Sequence, residues 1–203
     1  MKRILFILLL TIPFIGFGQT EYVKEYHKNG QLKYEGTYKD GKREGLWKLY
    51  YSNGQLETEG NFKDGNWEGL RRSYHKNGQL KREGNYKDGK KEGLWKEYYE
   101  NGQLLRKGNY KDGKREGLWK GYYKNGQLES EGDFKDGNWE GPYKDYHENG
   151  QLKREGNFKD GKQEGLWKYY HENGQLKSEK NFKDGELISK KCWDEKGKEI
   201  DCE

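Results

Sequence analysis

The sequence predicts an all-β chain: an elongated, single-layer antiparallel meander built from stacked hairpin repeats of 24 residues. Three observations predict it. Asn-Gly recurs at Asn29, Asn53, Asn77, Asn101, Asn125, Asn149 and Asn173, each time followed by Gln-Leu, and a fixed period of this size marks an array of one small unit. A second turn signal, Asp-Gly, recurs with the same period from Asp40 to Asp184. Short segments rich in Tyr, Trp and Phe lie between the two turns, and the glycines within each unit would cost a helix about 1 kcal/mol apiece.

The elements follow in order. Lys2 and Arg3 precede an apolar run from Ile4 to Phe17 that ends among small residues at Gly16 and Gly18, the order of a secretory signal. Cleavage is expected after Gly18, which would place the mature chain outside the cytoplasm: secreted, periplasmic or associated with the cell envelope. The run is short for a spanning helix and Pro13 interrupts it, so an uncleaved anchor is the weaker alternative. Residues 19–203 read as one continuous array with a degenerate C-terminal capping hairpin. Only 30% of the chain is hydrophobic and 37% is charged, a balance that usually gives disorder. The 7 Trp, 17 Tyr and 7 Phe at fixed places in the repeat argue for order. Removing Lys2 and Arg3 with the signal takes the 40 basic residues to 38 against 35 acidic ones, so no nucleic acid partner is expected.

Asn-Gly is the strongest short signal for a two-residue type I′ hairpin, and Asp-Gly reads as a looser turn of four residues. Side chains alternate in direction along a strand, so this choice sets the register. Tyr51 should face Leu56, Trp47 face Gly60, Lys48 face Glu59, Gly60 face Arg71 and Phe62 face Gly69. One side of the sheet then carries Trp47, Arg71, Trp95, Trp119, Tyr143 and Trp167 with glycines between them, each ring shielding bare backbone on a neighbouring strand. The other side carries an ion ladder of Lys48, Glu59, Arg72 and Glu83, resumed from Lys120 through Glu131, Lys144, Glu155, Lys168 and Glu179. Opposite charges across strands contribute about 0.2–1 kcal/mol each. The ladder has one defect: Lys107 replaces a Glu, setting Lys96, Lys107 and Lys120 side by side. This reads as drift or as a docking spot for an acidic partner or a phosphate. At a strand spacing of about 4.8 Å the array would extend on the order of 70 Å.

The unit Tyr34-Glu-Gly-Thr-Tyr38, followed by Asp40-Gly-Lys-Arg-Glu-Gly45, resembles the MORN repeat. The 24-residue spacing and the Tyr-Tyr-x-Asn-Gly-Gln-Leu segment are similar to its bacterial variant type. The resemblance covers nearly all of the chain after residue 18 and implies a stacked hairpin sheet. It also implies membrane attachment or protein scaffolding, by likeness to eukaryotic members, or an antitoxin, the label often given to bacterial variant-type proteins.

A longer period of 72 residues relates Asn66-Trp67-Glu68-Gly69 to Asn138-Trp139-Glu140-Gly141. It reads as duplication of a three-unit block, or as Trp67 and Trp139 displaced into loops to form paired contact points. His27, His75, His147 and His171 all occupy one position of the unit, where Tyr stands elsewhere. Neighbouring copies lie roughly 9.6 Å apart, too far to share a metal. No Ser-His-Asp or Cys-His set and no phosphate-cradling loop stands out. Neither enzyme activity nor a cofactor is expected. Cys192 and Cys202 flank a last turn at Lys196-Gly197 and, in a secreted chain, suggest a disulfide, with free or intermolecular thiols as the alternative. The functional expectation is a binding scaffold for another protein, with Trp47, Trp67, Trp95, Trp119, Trp139, Trp167, Lys96, Lys107 and Lys120 as candidate contacts. The rival expectations are a spacer whose rings cover only its own glycines, an antitoxin or immunity protein, a phospholipid-surface binder, and a polysaccharide binder that stacks sugars on the Trp row.

Overall fold

Each 24-residue unit folds as one long strand, one short strand and two different turns. The computed structural model describes residues 18–202, so the expected signal segment, residues 1–18, lies outside the described residues except for Gly18. The strands are β1 (Thr20–Tyr26), β2 (Leu32–Lys39), β3 (Lys42–Tyr50), β4 (Leu56–Lys63), β5 (Asn66–Tyr74), β6 (Leu80–Lys87), β7 (Lys90–Tyr98) and β8 (Leu104–Lys111). They continue as β9 (Lys114–Tyr122), β10 (Leu128–Lys135), β11 (Asn138–Tyr146), β12 (Leu152–Lys159), β13 (Lys162–Tyr170), β14 (Leu176–Lys183), β15 (Glu186–Trp193) and β16 (Glu199–Ile200). All 16 form one antiparallel sheet in sequence order, and no helix occurs among the described residues. The predicted all-β meander is the observed fold.

Neither turn has the type expected for it. Asp-Gly makes the two-residue type I′ turn: the Asp residues adopt φ of 50–53° and the glycines after them 74–92°, and Lys63 pairs directly with Asn66 across it. Asn-Gly closes a three-residue loop instead. The Tyr51 N–H donates to the Gln55 carbonyl at 2.8 Å and the Gly54 N–H to the Tyr51 carbonyl at 2.9 Å. Only Gly54 is left-handed there, at φ 85°, the signature of a type I turn closed by a glycine bulge. Asn53 is needed for its side chain, not for a left-handed backbone. Its Oδ1 accepts the Gln55 N–H at 3.1 Å, and its Nδ2 donates to the Lys76 carbonyl of the next unit, also at 3.1 Å.

These turns move part of the register. Tyr50, not Tyr51, faces Leu56, and Phe62 faces Trp67, not Gly69. A bulge at Gly69, with φ 72°, absorbs the difference, so Gly60 still pairs with Arg71 and Glu59 with Arg72. Trp47 with Gly60 and Lys48 with Glu59 stand as expected.

The core lies on one side of this single layer. Trp47 and Trp167 are fully buried, with Trp95, Trp119, Phe62, Phe134 and Tyr143 close behind. Each of the four indoles lies over the glycine of the strand before it. A Cβ added at Gly36, Gly84, Gly108 or Gly156 would come within 2.3 Å of a ring carbon. Each ring N–H then reaches a carbonyl beside that glycine, as Trp47 does to Thr37 at 3.1 Å and Trp119 to Asn109 at 3.0 Å. Bare backbone is covered and the one polar atom of the ring is satisfied, as burial requires. Edge-to-face contacts link the rows, with Tyr110 at 5.1 Å from Trp119 and Phe158 at 4.9 Å from Trp167.

Candidate functional site

The repeating polar residues tie each unit to the next. His27, Tyr51, His75, Tyr99, Tyr123, His147 and His171 each bond a backbone carbonyl of the following unit at 2.6–3.1 Å. The Glu before each bulge glycine accepts the N–H of an Asp twenty residues on, as Glu44 does from Asp64 at 3.0 Å and Glu164 from Asp184 at 2.9 Å. Imidazole and phenol thus do one job, which is why they interchange. No group of three or more metal-ligating side chains occurs among the described residues.

The aromatic side is filled by its own side chains. Trp47, Trp95, Trp119 and Trp167, expected as contact residues, are at most 4% exposed. Cations close the rings over: Arg43 stands 4.6 Å above Trp47, Lys91 4.5 Å above Trp95 and Arg115 4.6 Å above Trp119. These four indoles are core. Trp67 and Trp139 are not displaced into loops either, since they sit in β5 and β11. They stack on Phe62 and Phe134 at 3.9 and 3.8 Å and reach over Gly60 and Gly132. In Trp67 and Arg71 the unit's usual order, Arg43 then Trp47, is reversed, and Arg71 stands over Trp67 at the same 4.6 Å. Seventy-two residues on, Trp139 keeps this place but Tyr143 stands where Arg71 does, meeting the indole edge-on at 5.0 Å, so the exchange with a guanidinium belongs to the Trp67 unit alone.

The opposite side is the free one. Lys24, Arg72, Lys120, Lys144 and Lys168 pair with Glu35, Glu83, Glu131, Glu155 and Glu179 at 2.8–3.8 Å. A tyrosine hydroxyl donates to the same Glu row: Tyr50 to Glu35, Tyr74 to Glu59, Tyr98 to Glu83, Tyr146 to Glu131 and Tyr170 to Glu155, at 2.8–3.1 Å. Burial first, and the carboxylate second, push these five phenols up to about 12. The Lys120 ammonium holds the Glu131 carboxyl below its usual range.

Beside the ladder runs a row that the sequence reading missed. Leu46, Leu70, Leu94, Leu118 and Leu166 are 39–51% exposed, and Pro142 takes the same position in β11. The signal was present: Leu follows the bulge glycine in almost every unit, two residues before the ladder cation. Its counterpart across the strand pair is polar, Asn61 opposite Leu46 and Asn109 opposite Leu94. The result is an exposed apolar stripe, one side chain every second strand or roughly 9.6 Å.

The three lysines come together as expected, with Lys107 paired to Lys96 on one side and Lys120 on the other. Cys192 and Cys202 are joined, with Cα atoms 5.4 Å apart, and Cys192 faces Ile200 in the last strand pair.

A model of the MORN repeat variant matches residues 22–40, 43–64, 67–88, 91–112, 115–136, 139–160 and 163–184. The chain belongs to the MORN repeat variant family. From the second match on, each MORN segment starts at the second residue of a long strand and ends at the Asp of the type I′ turn, so the family unit is the hairpin closed by Asn-Gly. No curated protein matches the chain.

Proposed function

We propose that this MORN repeat protein is a non-enzymatic scaffold, exported from the cytoplasm, that binds another protein through the ladder side of its sheet. The exposed leucine row carries the proposal. Single exposed apolar side chains need no explanation, but five leucines in one row on one side of the sheet, bordered by charge, fit an interaction surface better than chance scatter. The Lys/Glu ladder alongside supplies the polar rim that such surfaces have. The aromatic side, with its indoles buried and capped, offers no comparable stripe and gives little support to stacking of sugars. The near-balance of acid and base on the ladder gives little to a membrane, which is attracted by clusters of like cations. An antitoxin or immunity role is one form of the same protein binding.

The test is affinity capture from the native host's envelope and medium with the parent chain and with a Leu70→Gln/Leu94→Gln/Leu118→Gln variant. A partner held by the parent and released by the variant supports the proposal. Equal capture by both chains contradicts it.

A further inference from the structure

The ladder lacks one carboxylate, and the groups around that place remain arranged for it. In four other units a Glu stands between a tyrosine hydroxyl and a cation from a neighbouring strand. Lys107 stands at the corresponding position, so the Tyr122 hydroxyl has no carboxylate acceptor among the described residues, and the Lys107 ammonium lies 5.9 Å over the Tyr122 ring. Lys96 leans to Glu83 at 3.5 Å and Lys120 to Glu131 at 2.8 Å, which leaves Lys107 without an ion-pair partner among the described residues. Tyr122 and Lys107 are half-buried, where a charge interaction is less screened than at a fully exposed site. Leu94 and Leu118, 49% and 48% exposed, stand two residues from Lys96 and Lys120 on the same side.

We infer that Lys107, flanked by Lys96, Lys120 and the Tyr122 hydroxyl, receives a carboxylate from an acidic, leucine-containing segment of the partner protein. This rests on the scaffold reading and gives it a location and a chemistry. Each intact rung shows that a carboxylate fits between these same donors. The flanking leucines favour a polypeptide, since a free phosphate would make no use of them. A membrane surface would meet Glu83 and Glu131 on either side of the cluster.

The probe is a fluorescein-labelled peptide of glutamates interrupted by leucines, followed by anisotropy against the full disulfide-bonded chain. The parent should bind it saturably. Lys107→Gln should weaken binding by about tenfold, whereas Lys144→Gln, which removes one charge from an intact rung, should change it by less than about twofold. Lys107→Glu should abolish binding while raising the thermal midpoint, because it completes the ladder, so the loss cannot be unfolding. Equal weakening by the two glutamine variants, or no saturable binding by the parent, would overturn the inference. Tighter, Lys107-dependent binding to phosphatidylserine vesicles than to the peptide would reassign the site to a membrane and overturn it too. In the capture experiment, a partner lost by the leucine variant but kept by Lys107→Gln removes this site and leaves the scaffold standing. Capture of nothing by the parent removes both.

Discussion

Replacing Gly108 by Ala tests how the core is made. The backbone of Gly108 is not left-handed, so Ala meets no conformational penalty, and any cost comes from the ring above it. The new Cβ would sit 2.3, 2.4 and 2.5 Å from Cδ2, Cε2 and Cγ of Trp119. Ordinary carbon contacts begin near 3.5 Å, so the indole must withdraw by about 1 Å. It is 4% exposed, its N–H is tied to the Asn109 carbonyl at 3.0 Å, and Arg115 stands over it at 4.6 Å. Overpacking of this kind costs about 1–3 kcal/mol, and a strained hydrogen bond adds about 0.5–1.5 kcal/mol. Loss of glycine's freedom in the unfolded chain returns about 0.4–1 kcal/mol. The net expectation is a loss of about 2–3 kcal/mol. Urea unfolding gives the total, and hydrogen exchange at the amides of β8 and β9 gives its location, since stability in an array is largely a nearest-neighbour quantity. The control is the double-mutant cycle with Trp119→Ala. With the ring gone, Gly108→Ala should be neutral or slightly stabilising. An unchanged midpoint for the single variant, or the same loss in both backgrounds, would refute the ring-over-glycine account.

Three further outcomes follow from the same geometry. Trp67→Arg and Arg71→Trp should each destabilise, by about 1–3 kcal/mol, while the double variant recreates the order of Arg43 and Trp47 and should recover most of the loss in urea unfolding. Tyr50, Tyr74, Tyr98, Tyr146 and Tyr170 are raised from 10.0 to about 12, so the folded chain holds protons that the unfolded chain releases. Their contribution to stability should be complete below pH 10 and be lost as the pH rises to about 12, read by tyrosinate absorbance alongside circular dichroism. Replacing Cys192 and Cys202 with Ser should weaken the last hairpin by about 3 kcal/mol on the chain-entropy view, raising hydrogen exchange in β14 and β15 and leaving β3 to β8 unchanged.

The period, the strand count per unit and the register at Trp47–Gly60 and Lys48–Glu59 were legible in the sequence because turn residues and side-chain alternation fix them together. The assignment of the two turn types was not. Asn-Gly and Asp-Gly both permit positive φ, and the choice was made by Asn53, whose amide bridges to Lys76 in the next unit and so favours a loop that leaves it in the right-handed region. The tyrosine one residue earlier on the ladder side then became the partner of Leu56. The fate of the indoles was also hidden. A sheet one layer thick has two open sides as far as alternation goes, and it is Arg43, Lys91 and Arg115 lying over the rings that close one of them. Trp67 looked like a loop residue because a four-residue turn at Asp-Gly takes in residues 64–67, whereas the observed two-residue turn pairs Lys63 with Asn66 and leaves Trp67 in the strand opposite Phe62. Of the candidate contacts, the lysine trio was visible from the one break in alternation. The leucine row escaped because each of its leucines stands alone on its strand, between the bulge glycine and an indole or its substitute, and only the register across strands lines them up.

The central claim is that the indoles form the core and the leucine row faces solvent, and hydroxyl-radical footprinting of the intact chain tests it most directly. Modification at each residue, read by mass spectrometry, is compared with the urea-unfolded chain. The account predicts strong protection of Trp47, Trp95, Trp119 and Trp167 and little protection of Leu46, Leu70, Leu94, Leu118 and Leu166. Indoles modified as fast in the folded chain as in the unfolded one, with the leucines protected, would contradict it.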